Sequence, residues 1–206
     1  MKIAPVLLTA LLPLGASPAL ADNHFLLEAQ GGLTSPLGVD AHVDEGAAFG
    51  GTFGFGGRIK GFAPAYYLIG TLGRAGYDFT GPPSYGSAHV ERDQIDWSLG
   101  GRIYLPVSER LRVLAQVGFG ETYDKARVSR AGYRTLLLDT EVFTVQTQVG
   151  LQYRLSDALS LGLKGELSFY PDSEELRLAG LSAGLGDDDE GGYGRAGIAL
   201  TTTFHF

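Results

Sequence analysis

The chain has 206 residues, with 16 lysines and arginines against 23 aspartates and glutamates, a formal net charge of −7. That acidic balance argues against nucleic acid as a partner, and with no cysteine an exported protein of this size holds together without disulfides. Glycine is frequent, at 31 residues, and sits inside apolar runs such as FGGTFGFGGRIKG, Phe49 to Gly61, rather than only in turns.

The chain opens on Lys2, an apolar stretch from Val6 to Leu14 and the small-residue run ASPALA at 16–21. This pattern predicts a secretory signal over residues 1–21 and a mature chain, 22–206, starting at Asp22. The apolar run is too short for a membrane anchor and is broken by Pro13 and Pro18. Nothing after it approaches the roughly 18 apolar residues of a membrane helix or keeps a helical period.

Alternation with period two predicts strands instead. The first, about 23–32, sets Phe25, Leu27 and Ala29 against Glu28 and Gln30. The second, about 48–62, sets Phe49, Phe53, Phe55 and Ile59 against Thr52, Arg58 and Lys60. The third, about 66–80, is mixed: Tyr67, Ile69, Tyr77 and Phe79 share a face, while Leu68 and Leu72 fall with Arg74. The fourth, about 92–105, opposes Ile95, Trp97, Leu99, Ile103 and Leu105 to Gln94, Asp96, Ser98 and Arg102. The fifth, about 110–123, opposes Leu111, Val113, Val117 and Phe119 to Arg112 and Gln116. In the sixth, about 139–154, Phe143, Val145, Val149, Leu151 and Tyr153 face away from Gln146, Gln148, Gln152 and Arg154. In the seventh, about 159–170, Leu159, Leu161, Leu163, Leu167 and Phe169 face away from Lys164 and Glu166. The eighth runs from about Tyr193 to the end, with Ile198, Leu200, Thr202, Phe204 and Phe206 on one face.

Short connections at 62–65, 106–110 and 156–158 alternate with long ones near 33–47, 81–91, 124–138 and 171–192. The predicted fold class is all-β: an eight-stranded antiparallel up-and-down transmembrane β-barrel with short periplasmic turns and longer extracellular loops. Tyr66, Tyr67, Tyr104, Tyr153, Phe204 and Phe206 are expected at the periplasmic interface. Phe49, Tyr77, Phe79, Tyr123, Phe143, Phe169 and Tyr193 are expected at the outer one, as two aromatic belts. The competing arrangement is a soluble lipocalin-like barrel with the apolar face turned inward.

The last strand, alternating and ending on phenylalanine, resembles the assembly signal of Gram-negative outer-membrane proteins. The resemblance implies that the barrel-assembly machinery reads Phe206, Phe204, Thr202, Leu200 and Ile198. The whole of 22–206 resembles the small eight-stranded barrels: the OmpX/Ail and opacity-protein group and the membrane half of OmpA. It implies an outer-membrane location among lipid and lipopolysaccharide. A closed barrel has no free edge and stands alone as a monomer.

Inside such a barrel Glu28, Asp96 and Glu166 meet Arg58, Lys60, Arg74, Arg102, Arg112, Arg154 and Lys164, with Gln116, Gln146 and Gln148. Eight strands leave room only for side chains, so a polar plug of ion pairs is expected. The excess of bases supports a narrow anion-favouring channel as the alternative. Lys125, Arg127, Arg130 and Arg134 form a cationic cluster in the third outer loop that suits lipopolysaccharide phosphates. The fourth loop carries Asp172, Glu174, Glu175 and the run DDDE at 187–190 around an apolar stretch, 176–185. Its spacing is not that of a calcium loop. His42 and His89 each precede a carboxylate by two residues, but no nucleophile or complete ligand set accompanies them. No cofactor and no catalysis are therefore expected; modification of lipid A is the enzymatic alternative. The leading expectation is a surface protein whose loops contact lipopolysaccharide, host molecules or envelope neighbours.

Overall fold

The computed structural model describes residues 20–37, 42–43, 46–59, 64–80, 89–132, 134–171 and 193–206. The alternating segments form β1 (Leu20–Leu37), β2 (His42–Val43), β3 (Gly46–Ile59), β4 (Ala65–Thr80) and β5 (His89–Pro106). They continue as β6 (Leu111–Ser129), β7 (Leu136–Arg154), β8 (Leu159–Tyr170) and β9 (Tyr193–His205). Every neighbouring pair is antiparallel. The order β4-β3-β1-β9-β8-β7-β6-β5 returns from β5 to β4, so the eight long strands close a barrel. The two-residue β2 pairs with the outer end of β4. First and last strands meet where Phe25 N donates to Phe206 O at 3.1 Å and Phe206 N donates to Phe25 O at 2.9 Å.

Closure pairs the backbone, as a hydrocarbon environment requires. The exterior then decides which solvent the barrel meets. Leu200 is 70% exposed and Phe53 64%, with Leu27, Leu99, Leu151 and Leu163 exposed beside them, while Glu28, Asp96 and Lys164 are buried inside. In water each such apolar side chain would forgo about 1.5–3 kcal/mol. Summed round the belt, that exceeds the roughly 5–15 kcal/mol by which a domain is stable. The lipocalin-like alternative is overturned, and the barrel is of the transmembrane kind.

Four inward glycines let the strands coil closely. A Cβ on Gly32, Gly56, Gly100 or Gly120 would stand 1.8–2.0 Å from the carbonyl oxygen of Ile198, Tyr66, Val117 or Trp97. On the exterior the Phe53 ring lies over Gly70, its register partner.

Several expectations need correction. Strand β4 faces the other way from the reading that put Arg74 inside. Tyr67, Ile69 and Tyr77 are buried in the lumen, while Leu68, Leu72 and Arg74 point outward. Tyr67, Tyr104 and Tyr77 therefore leave the predicted aromatic belts; Tyr66, Tyr153, Phe204 and Phe206 keep their places at the short-turn end. Strands β5, β6 and β7 are longer than predicted, at 18, 19 and 19 residues, against 12 and 13 for β8 and β9. The third outer connection shrinks from 124–138 to 130–135, where Gly132 turns the chain at φ 81°. Strand β7 meets β8 only from Val145 onward, so among the described residues 136–144 pair with β6 alone. Most of the predicted signal segment, residues 1–19, lies outside the described residues; β1 begins at Leu20.

Candidate functional site in the lumen

Inward positions stack in layers along the barrel. Toward the short turns, one step in from the rim residues Arg112, Gln152 and Ser160, is an apolar layer of Leu26, Tyr67, Ile69, Tyr104 and Leu114. Its two tyrosine rings meet edge-on, with centroids 5.6 Å apart.

Above it lies the first ionic layer. Glu28 on β1 accepts a fork from Arg102 on β5, with Nη1 to Oε2 at 2.8 Å and Nη2 to Oε1 at 2.9 Å. Lys164 on β8 donates to Glu28 Oε1 at 2.9 Å and to Gln148 Oε1 at 2.8 Å. Thr203 donates to Glu28 Oε2 at 2.9 Å, and Arg102 Nε donates to Gln116 Oε1 at 2.8 Å. The side chains of Glu28, Arg102 and Lys164 have no exposure to solvent. Such a group is tolerated only because each charge is both paired and hydrogen-bonded.

Gln148 links this layer to the next by donating to Glu166 Oε2 at 2.9 Å. There Arg195 on β9 donates to Asp96 Oδ2 at 2.6 Å, Glu166 Oε1 at 3.2 Å and Gln94 Oε1 at 3.1 Å. Thr122 donates to Asp96 Oδ1 at 2.7 Å, and Ser98 donates to Gln146 Oε1 at 2.8 Å. Toward the long loops Arg92 forks onto Asp124, and Tyr170 donates to Gln94 Oε1 at 3.2 Å.

Of the predicted lumen set, Glu28, Asp96, Arg102, Gln116, Gln146, Gln148, Lys164 and Glu166 come together. Arg58 is exposed at the short-turn rim, Lys60 lies outside the described residues, and Arg74 is on the exterior. Arg74, with its side chain 54% exposed, forks onto Asp93 of β5 at 2.8 and 2.7 Å. The lumen also holds Arg92, Gln94, Asp124 and Arg195, which the sequence reading left out of its network. With them the buried layers match Glu28, Asp96, Asp124 and Glu166 against Arg92, Arg102, Lys164 and Arg195. The predicted surplus of bases does not extend into these layers.

The predicted cationic loop is a mixed-charge band. Lys125 and Arg127 stand on the outward face of β6, with Arg130 and Arg134 exposed in the connection that follows. Carboxylates interleave with them: Arg127 Nη1 is 3.6 Å from Glu91 Oε2, and Lys125 stands in register between Asp93 and Asp139. On the last strand Ile198, Leu200, Phe204 and Phe206 are exposed on one face, with Thr202 half-buried among them. His42 and His89 flank Thr80 in register, and His89 Nε2 is 3.8 Å from Glu91 Oε1. The acidic and apolar parts of the fourth loop, including Asp172, Glu174, Glu175 and 176–190, lie outside the described residues.

No protein-family model matches the chain, and no curated protein matches it. Solved structures do. The attachment invasion locus protein Ail of Yersinia pestis is similar over 89% of this chain and 97% of its own, at 11% identity and a TM-score of 0.50. The same scores hold for Ail in complex with the heparin analogue sucrose octasulfate. A major outer membrane protein of Thermus thermophilus is similar over 90% of this chain and all of its own, at 10% identity and a TM-score of 0.54. At these identities the likeness is one of fold. The chain is a closed, eight-stranded antiparallel barrel with the architecture of the small outer-membrane β-barrels.

Proposed function

We propose that the chain is a resident of the Gram-negative outer membrane whose lumen is plugged and whose long-loop end makes contacts outside. The observation that carries this is the matched set of buried acids and bases above an apolar layer. An interior of that kind offers an ion neither a water column nor an unpaired charge. The direct test is single-channel recording on protein refolded into planar bilayers, and silence is the expected record. Steady openings would replace this reading with that of a narrow channel.

Function then belongs to the outer end. Lys125, Arg127, Arg130 and Arg134 suit lipopolysaccharide phosphates, and the interleaved acids suit the divalent cations between those phosphates. Residues 136–144 of β7, which among the described residues pair with β6 alone, add an edge to which an extended segment of a host or envelope protein can pair. Replacing the four bases together with glutamine is expected to weaken lipopolysaccharide binding while the heat-dependent gel shift of the barrel persists. Phe206 and the alternate residues before it serve as the address read by the barrel-assembly machinery. The role is non-enzymatic, so expression of the protein is expected to leave the lipid A mass spectrum unchanged.

A further inference from the structure

Outside the matched layers stands a half-buried inward cation, Arg112, on β6 at the short-turn end. Its Nε donates to Gln152 Oε1 at 2.7 Å, its Nη2 donates to Ser160 Oγ at 3.1 Å, and Nη2 also meets His205 Nε2. Its guanidinium carbon stands 4.2 Å from the centroid of the Tyr104 ring. Gln152, Ser160 and Tyr104 are neutral, and so is a His205 that offers Nε2 as an acceptor. Among the described residues no carboxylate reaches Arg112, and its Nη1 has no hydrogen-bond partner. Arg102, one layer deeper, shows what a satisfied guanidinium looks like here, with its fork on Glu28.

Among the described residues the surroundings do not neutralise Arg112. Arg58 and Arg154 occupy inward positions at the same rim and are exposed. Asp157 takes Arg154, and Asp22 stands opposite Arg58 in register. A guanidinium stacked on an aromatic face, with a hydroxyl beside it and donors to spare, favours a tetrahedral oxyanion. We infer that the guanidinium of Arg112, seated on the Tyr104 ring and held by Ser160, is an anion site at the short-turn mouth that takes a phosphate group. In an outer-membrane barrel this mouth faces the periplasm and the inner-leaflet headgroups. The phosphate therefore comes either free from solution or on a phospholipid.

The test is NMR on the whole barrel, reading the Arg112 Nε–H and His205 ring signals. In maltoside micelles free of phosphate, added inorganic phosphate is expected to shift both signals to saturation. Arg112→Lys, which keeps the charge but loses the fork, is expected to weaken binding about tenfold, and Arg112→Gln to abolish it. Nanodiscs then assign the source. Signals already shifted in phospholipid, with no response to added phosphate, mean a headgroup ligand; a retained response means a soluble one. No saturable shift in micelles, or the same His205 shift in Arg112→Gln protein, overturns the site. Wild-type titration decides the matter even if a variant fails to fold.

Discussion

At the scale of single residues, cost follows what a side chain leaves behind. Glu28→Gln would strand Arg102 and Lys164, both fully buried, without their carboxylate. Removing one partner of a buried pair costs about 3–5 kcal/mol. Lys164→Met leaves the Arg102 fork on Glu28 in place and should cost clearly less. Urea unfolding in micelles reads both; equal losses would mean that the pair does not hold the layer. Glycines give a second ranking. A Cβ at Gly100 meets the Val117 carbonyl at 2.0 Å, so Gly100→Ala must move a neighbouring strand. At Gly70 the obstacle is the Phe53 ring at 2.3 Å, the free end of a side chain at the lipid surface. Gly70→Ala is expected to fold almost normally and Gly100→Ala to lose stability; the reverse order would refute the close-approach account.

At the scale of elements, legibility in the sequence depended on contrast between faces. Strand β9 was plain, because small and polar residues alternate with Ile198, Leu200 and Phe204. The same parity puts Arg195 on the inner face with Gly197, Ala199, Thr201 and Thr203, a signal present in the sequence and left unused. Strand β4 misled because both its faces are apolar: Tyr67 and Ile69 fill the lumen while Leu68 and Leu72 meet lipid. Sending the charge inward then placed Arg74 wrongly, since near the outer end a cation finds Asp93 and water. Asp124 falls just past the predicted end of the fifth strand, where polar residues mimic a loop, and Arg92, at the start of the predicted fourth strand, is not counted with its inward residues. Hydrogen exchange tests the projecting part of β7. Its residues 136–144 have β6 as their one neighbour among the described residues, whereas 145–154 lie between β6 and β8. Amides in the outer stretch are expected to exchange faster, in alternation, than those in the inner one. Uniform slow exchange across β7 would show that its outer edge is covered.

At the scale of the whole molecule, the lumen contains obstructions of two unlike kinds in series, ionic and apolar. The ionic layer around Glu28 and the apolar layer around Tyr67 and Tyr104 are held by different forces and sit on different residues. Removing one should not open the other. A variant with Glu28, Arg102 and Lys164 all replaced by alanine removes charges of both signs together, so it leaves no stranded ion in that layer. It widens the ionic layer, yet Leu26, Ile69 and Leu114 with the two tyrosines still bar hydrated ions. That variant is expected to remain silent in planar bilayers. Adding Tyr67→Ala and Tyr104→Ala leaves the layer of Arg195, Asp96 and Glu166 as the remaining barrier. Measurable conductance is expected only once those three are replaced as well, provided the gel shift confirms a folded barrel. Openings from the triple-alanine variant alone would mean that neither the apolar layer nor the Arg195 layer is a barrier, and that the Glu28 layer alone closes the lumen.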